Sequence, residues 1–527
     1  MRITNQMVSG NALRNMQKSM ERVDEKTKQM TSGKKIQQAS EDPVIAVRAL
    51  KLRTTVNQLT QYKEKNIPDA TSWYNITSTS LDNITSRLTQ IYEYCVQGST
   101  DSFNTDDRAA IIDTLRQFQD MLASEGNSTY AGRYIFSGYK TDRSLAYTET
   151  EKTDVYSYII KQKIDPKELD TKNVVLNGLD YDKADDYISE AVAGGGSSAS
   201  YKKINKEMVY RLNVAYEGID DEVDTDGDGT NDATGLFDIK AYDESGNPIN
   251  LSAYLPPKVL KSTDPADVEQ YYDVSDGKIQ VIKETGEVIF NEDVYNILKT
   301  AANIEVTYAK NNFEPGDLRP EHYFDCTQYK TQTDGSRKVV DYEQPEGGQE
   351  IYYEVNFSQS IKVNTEGREI INSETANDIN DLIYALKDLQ DAESTQKKIK
   401  AMLSDDQYTD NENAVKMINE MLSDIDVEVA VKKENMQKTF SANIANFQRY
   451  LDEVSAMQSD VGSRMTKLEM IETRVREQLA SFKELKSQNE DVESDVAITN
   501  LNEANLAFNA ALAATGSIID KTLLDYI

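Results

Sequence analysis

The sharpest chemical motif in this 527-residue chain is Asp224-Thr225-Asp226-Gly227-Asp228-Gly229-Thr230-Asn231-Asp232. Carboxylates at alternate positions followed by glycine match the opening of a calcium loop, because aspartate oxygens are hard ligands and Gly229 permits the sharp turn. Asp224, Asp226 and Asp228 would bind directly, Thr230 would offer its backbone carbonyl, and Asp232 would bind directly or through water. Where an EF-hand requires a bidentate glutamate the chain has Gly235, which excludes a standard EF-hand. Two readings stay open: a shorter acidic Ca²⁺ loop that stiffens an exposed turn, and a solvated acidic turn that holds no ion.

The single histidine, His322, sits in RPEHYFDC. A zinc protease of the HExxH kind needs two histidines one helical turn apart, so that chemistry is excluded. His322 and Cys326 stand four residues apart and could form a thiolate-imidazole pair, although a buried thiol near an ordinary histidine is the plainer reading. The sequence has no Gly-rich phosphate loop and no nucleophile elbow. It therefore reads as a non-enzymatic protein with no required cofactor.

The elements that would carry such loops are polarised along the chain. Eight of the ten prolines fall between Pro166 and Pro345, and none follows. In the carboxy-terminal part Ile444, Phe447, Leu451, Val454, Gln458, Val461, Met465, Leu468, Glu472, Val475, Leu479 and Phe482 recur at alternating spacings of three and four. That spacing keeps one apolar seam on one side of a helix, as in coiled coils. A second seam, Ile498, Leu501, Asn505, Phe508, Leu512, Thr515 and Ile519, follows it. Near the start, Leu13, Met16, Met20, Val23, Thr27 and Met30 step in the same way. A narrow apolar stripe on a polar helix is stable only when another helix covers it, so the two ends of the chain are expected to be partners.

Helix one is expected over roughly residues 3–31, ending near Gly33. Asp42 followed by Pro43 reads as an N-cap and first helical residue, since proline's missing donor costs nothing there. The next helix runs toward Gly98 with a break near Pro68, and a third opens at Thr105. From about Asp142 the composition shifts to tyrosine, aspartate, glycine and proline, with alternating runs such as GEVIF and NIEVTYA that read as strands. Gly194–Ser200 reads as a flexible connector. Helical periodicity returns near Ala376. The fold class is mainly α with a β-rich insertion. Its expected domains are residues 1–41 with 490–527, residues 42–145 with 345–489, and an acidic insertion over 146–344.

A chain this long is expected to hold several cores. The net charge of -32 makes nucleic acid a poor partner. Residues 1–60 hold 11 Lys and Arg against 5 Asp and Glu, a local +6, which leaves -38 for the rest. A basic end on an acidic protein suits attraction to acidic parts of neighbouring copies, or a solvated helix face. Cys95 and Cys326 are expected to be free thiols. MRITNQMVSGNALRNMQ lacks an apolar core and cleavage site, so no cleaved signal peptide is expected, and no apolar run is long enough for membrane insertion.

MRITNQM, SGKKIQQASEDPVIAVRALKLR and the closing LLDYI resemble the flagellin superfamily and, within it, the hook-filament junction proteins. GRYIFSGYKT, EIYYEVNFSQSIKVN and VGSRMTKLE resemble internal segments of the same group. The resemblance covers roughly residues 1–145 and 345–527 and leaves the acidic middle uncovered. It implies paired terminal helices forming an inner coiled coil, a surrounding helical rod, and an outer domain inserted between the arms. It also implies a structural subunit joining hook to filament, located outside the cell on the flagellum and exported without a cleaved signal. The partners it implies are the preceding hook-associated junction protein, flagellin, copies of itself and an export chaperone. A flagellin that forms the filament itself is the neighbouring reading; an adhesin or enzyme displayed on a flagellar scaffold is one of another class. On the first reading the assembly interface consists of Ile3, Met7, Leu13, Met20 and Val23 with Leu501, Phe508, Leu512 and Ile519.

Overall fold

The computed structural model describes residues 5–100, 103, 105–151, 155–226, 230–264, 267, 270–332, 337–345 and 347–519. Ile3, Asp228, Gly229 and the closing LLDYI lie outside the described residues, as does the side chain of Ile519. Seven long helices are present: α1 (Asn5–Ser32), α2 (Pro43–Gln61), α3 (Ile67–Ser99), α4 (Thr105–Gly126), α5 (Ser373–Met402), α6 (Glu412–Glu490) and α7 (Ser494–Ile519). Strands and short helices fill the interval between α4 and α5, so the chain is mainly α with a β-rich insertion. Contacts divide it into two compact units: Met1–Thr71 with Tyr352–Ile361 and Arg464–Ile527, and Ser72–Ile351 with Lys362–Ser463.

In the first unit local chemistry sets the helix ends. Gly33 follows α1 with φ +67, the left-handed conformation that suits glycine after a helix. Asp42 caps α2, its carboxylate accepting from the amides of Val44 at 2.9 Å and Ile45 at 3.1 Å, with Pro43 in the first turn. The expected break near Pro68 is a π-helical segment, Tyr62–Asn66, between α2 and α3. Proline at 68 cannot donate to the carbonyl of residue 64, and the widened turn absorbs that loss. A hairpin docks at this turn: Asn66 Nδ2 donates to the Glu354 carbonyl at 2.7 Å, and Phe357 meets Tyr62 edge-on at 5.7 Å. The segment of α6 in this unit buries Leu468, Ile471, Val475 and Leu479, which keeps the expected three-and-four spacing inside.

The second unit combines helices and sheets. Its part of α3 buries Trp73, Tyr74, Leu81, Leu88 and Ile91, and its part of α6 buries Phe440, Phe447, Tyr450, Val454 and Val461. Gln458 donates to Asp82 at 2.9 Å, and Arg108 of α4 to Glu393 of α5 at 2.6 Å. A five-stranded sheet runs in the order Lys258–Leu260, Gln280–Ile282, Glu287–Phe290, Asn205–Asn213, Asp170–Leu176, with only the first pair parallel. A six-stranded antiparallel sheet runs Arg337–Tyr342, Asp325–Thr331, Tyr156–Ile164, Asn303–Lys310, Asp238–Tyr242, Pro248–Ile249. Tyr158, Ile160, Gln162 and Ile164 point inward at a period of two. They join Val214, Phe290, Ile304 and Phe313 in a core that residues of both sheets share.

The stretch Gly194–Ser200 is not the free connector its composition suggests. The amide of Gly194 donates to the Glu190 carbonyl at 2.7 Å, and Ser198 Oγ and the Ser200 amide donate to the Glu190 carboxylate at 2.6 and 3.1 Å. The two serine positions thus bind back to the side chain of Glu190 in the preceding helix, a tie that low complexity conceals.

Asp378 of α5 accepts from Tyr450 of α6 at 2.8 Å. Burial, followed by the charge of Asp381, pushes its carboxyl up to about 7. A carboxyl raised on folding binds more protons folded than unfolded. Its contribution is therefore complete below the ordinary aspartate value of about 3.9 and is lost as pH rises through 7. The thermal midpoint of the second unit should fall between pH 5 and 8, and Asp378→Asn should flatten that slope in a calorimetric pH series.

Candidate assembly surface of the terminal helices

One carboxylate holds the corner where α1 ends and α7 begins. Glu490, with its side chain 3% exposed, accepts from Arg53 Nε and Nη2 at 2.7 Å each and from Lys34 Nζ at 3.4 Å. Lys34 also bonds Asp491. The backbone joins in: the Lys35 amide donates to the Glu490 carbonyl at 2.7 Å, and the Val492 amide to the Gly33 carbonyl at 2.9 Å. The fork of Arg53 holds the Glu490 carboxyl below the usual glutamate range.

From this corner α1 and α7 run antiparallel, and Thr515 Oγ1 reaches the Ala12 carbonyl at 3.4 Å. α7 turns Ala497, Leu501, Ala504, Phe508, Ala511 and Thr515 inward at spacings of four and three. α1 answers with Ala12, Met16, Ser19, Val23 and Lys26. Small residues on this face let the two backbones approach closely.

The larger apolar residues stand one position further on. Leu13 follows Ala12, Met20 follows Ser19, Ile498 follows Ala497 and Leu512 follows Ala511. One residue is about 100° of helical rotation. In an antiparallel pair equal rotations bring both helices' residues to the same side. Leu13, Met20, Ile498 and Leu512, 42–61% exposed, therefore line one edge of the pair. Of the expected interface residues, Val23, Leu501 and Phe508 lie in the pairing face, Leu13, Met20 and Leu512 lie beside it, and Met7 is exposed away from it. The pairing face is thus offset from the sequence stripe, because alanines at intervals of seven, Ala497, Ala504 and Ala511, occupy it. That spacing was the available signal. The Glu490 clamp left none in local sequence, since its partners lie more than 430 residues away.

The acidic loop brings carboxylate oxygens of Asp224, Asp226 and Asp232 within 4.8 Å of one another. Asp232 accepts from the Thr225 amide at 3.2 Å and hydroxyl at 3.0 Å, and Arg337 Nη2 lies 3.4 Å from Asp224. Thr230 is exposed beside them. His322 and Cys326 are both buried. His322 Nε2 donates to the Ser144 carbonyl at 3.0 Å, burial lowers its imidazole to about 4, and burial pushes the Cys326 thiol up. These shifts oppose a thiolate-imidazolium pair. Cys95 is likewise a buried free thiol.

Residues 3–141 match the family described as the bacterial flagellin N-terminal helical region. Flagellar hook-associated protein 3 of Escherichia coli (strain K12) is 29% identical over 201 residues, 38% of this chain and 62% of that protein. The protein of the same name from Salmonella typhimurium is 31% identical over 143 residues, 27% of this chain and 45% of that one. A flagellin of Clostridium tyrobutyricum is 30% identical over 127 residues, 24% of this chain and 33% of that one. The chain spans less than two thirds of the length of each of these curated relatives.

Ala504→Leu should overfill the pairing face and destabilise the helix pair by about 1–3 kcal/mol. Leu506→Ala, at a position 73% exposed, should change the isolated chain by less than about 0.5 kcal/mol. Hydrogen exchange of α7 in the two variants checks both.

Proposed function

We propose that this chain, whose residues 3–141 match the bacterial flagellin N-terminal helical region, is a non-enzymatic flagellar subunit that joins hook to filament and offers the surface on which flagellin begins to assemble. The observation that carries this reading is the exposed edge of the terminal helix pair. Leu13 and Met20 of α1 and Ile498 and Leu512 of α7 form an apolar strip that the isolated chain leaves in water. Completing the burial of side chains that are already about half covered is favourable by about 1 kcal/mol each, so a neighbouring helix gains by covering them. A heterologous contact of this kind builds rings or helical lattices rather than closed dimers.

The longer stretch shared with hook-associated protein 3, 201 residues against 127 for the flagellin, favours the junction over the filament. On this reading the chain leaves the cell by the flagellar export route with the help of a chaperone. Its neighbours are the preceding hook-associated protein, further copies of itself, and flagellin.

Electron microscopy of the purified protein added to isolated hooks that bear the preceding junction protein, followed by flagellin, tests the reading. A short terminal ring required for filament growth is the expected result; long polymers of this chain alone would make it a flagellin. Leu512→Asp, on the exposed edge, should give a folded subunit that no longer adds to the hook, and normal addition would remove this edge of α7 from the interface.

Calcium at Asp224, Asp226, Asp228, Thr230 and Asp232 is a separate part of this proposal, supported by the convergence of three carboxylates. The ion would be structural. Millimolar Ca²⁺ should raise the melting temperature of the full chain and leave Asp226→Asn unchanged; equal responses would leave the loop a solvated turn.

A further inference from the structure

α2 carries a stripe that no described residue of its own chain covers. Val44, Val47 and Leu50 are 78%, 55% and 62% exposed, while Ala46, Ala49, Val56 and Leu59 face inward. Three exposed aliphatic side chains within seven residues on one side of a helix are a contiguous patch rather than scattered surface residues. The helix is also purely basic: Arg48, Lys51 and Arg53 are its only charged residues. Arg53 is taken by Glu490, whereas Arg48 and Lys51 have no ion-pair partner among the described residues.

α7 is the complement. It contains no Lys or Arg, and its two charges are Asp495 and Glu503. Neither has an ion-pair partner among the described residues. Ile498 and Leu506, exposed at 46% and 73%, lie between and beside them. Asp495, Ile498, Asn502 and Leu506 follow one another at spacings of three and four, so they form a single ridge. The ridge starts at Ile498, which borders the face that meets α1, and passes to Asn502 and Leu506 on the far side of the helix.

We infer that α2 docks through Val44, Val47 and Leu50 onto the Ile498–Leu506 ridge of α7 in a neighbouring copy of this chain, with Arg48 and Lys51 set against Asp495 and Glu503. Charge complementarity selects the occupant: an apolar stripe with an uncompensated basic edge fits an apolar ridge with an uncompensated acidic edge. The contact uses different surfaces on the two copies and leaves each copy's own second surface free, so it propagates from subunit to subunit. It rests on the reading that copies of the chain assemble side by side, and it adds which faces meet.

Val47→Cys and Leu506→Cys full-length chains, mixed on hooks that bear the preceding junction protein and then oxidised, test it. The native Cys95 and Cys326 are buried and stay out of the reaction. The expected result is a disulfide between copies that forms on assembled particles and not in dilute solution. Arg48→Glu with Lys51→Glu should lower its yield about tenfold, and Asp495→Lys with Glu503→Lys on the other partner should restore it. Normal rings without the cross-link would overturn this contact and leave the assembly reading standing. Cross-linking of Val47→Cys to the hook-side protein instead would assign α2 to that partner. Failure of the unmodified chain to add to hooks at all would overturn both.

Discussion

Glu490 is a buried carboxylate held by two stretches of chain that lie more than 430 residues from it in sequence. Arg53 reaches it from α2, Lys34 from the segment after α1, and the backbone of Lys35 closes against its carbonyl. A carboxylate left alone in that position would be costly, whereas one held by a bidentate guanidinium is fixed in direction as well as in charge. It thereby sets where α1 starts back along α7 and which side of α2 is turned inward. The antiparallel register follows: with Gly33 bound to Val492 at one end, Ala12 comes opposite Thr515 at the other.

That register explains why the terminal stripe is too wide for its own partner. Two helices in contact through alanine and serine approach closely, and the zone that each can cover is correspondingly narrow. Leu13, Met20, Ile498 and Leu512 fall just outside it. The inward face alternates small residues such as Ala504 and Ser19 with larger ones such as Leu501 and Phe508, while Leu13, Met20, Ile498 and Leu512 remain at the edge, open to a third helix. An isolated helix pair of this kind gains most when neighbours supply the missing cover.

Much of this was legible in the sequence. Asp42-Pro43 and Gly33 are backbone signals that act within a few residues, and they marked helix ends correctly. The break at Pro68 was equally local, although the hairpin that docks on its π-helical turn through Asn66 left no signal there. The seam from Phe447 to Leu479 was visible because large residues fill it. The α1–α7 face takes in Met16, Val23, Leu501, Phe508 and Thr515 of the expected stripes and leaves Leu13, Met20, Ile498 and Leu512 beside it, because hydrophobic periodicity follows large side chains and alanine at 497, 504 and 511 carries little of that signal. Gly194–Ser200 misled for the opposite reason: its composition is that of a linker, while Glu190 turns it into a helix stop. The acidic loop shows that spacing predicts convergence of Asp224, Asp226 and Asp232. It does not predict Arg337, a residue more than one hundred positions away, beside Asp224.

The insertion is fastened by chemistry of the same kind as the clamp at Glu490. Arg211, on a strand of the five-stranded sheet, pairs with Asp381 of α5 at 2.6 Å and with Glu287 of the adjacent strand at 2.8 Å, and Lys172 adds a contact to Glu287 at 2.9 Å. Arg211 and Glu287 are almost fully buried, and the flanking lysine and arginine hold the Glu287 carboxyl far below the usual glutamate range, after overcoming the burial that opposes them. Buried ion networks contribute less to net stability than apolar packing of equal volume, but the two parallel bonds from Arg211 to Asp381 are directional. A sheet attached to α5 by apolar contacts alone could slide along the helix. One attached through Arg211 and Asp381 has a fixed register, so the second unit presents its β-rich region in one orientation on every copy.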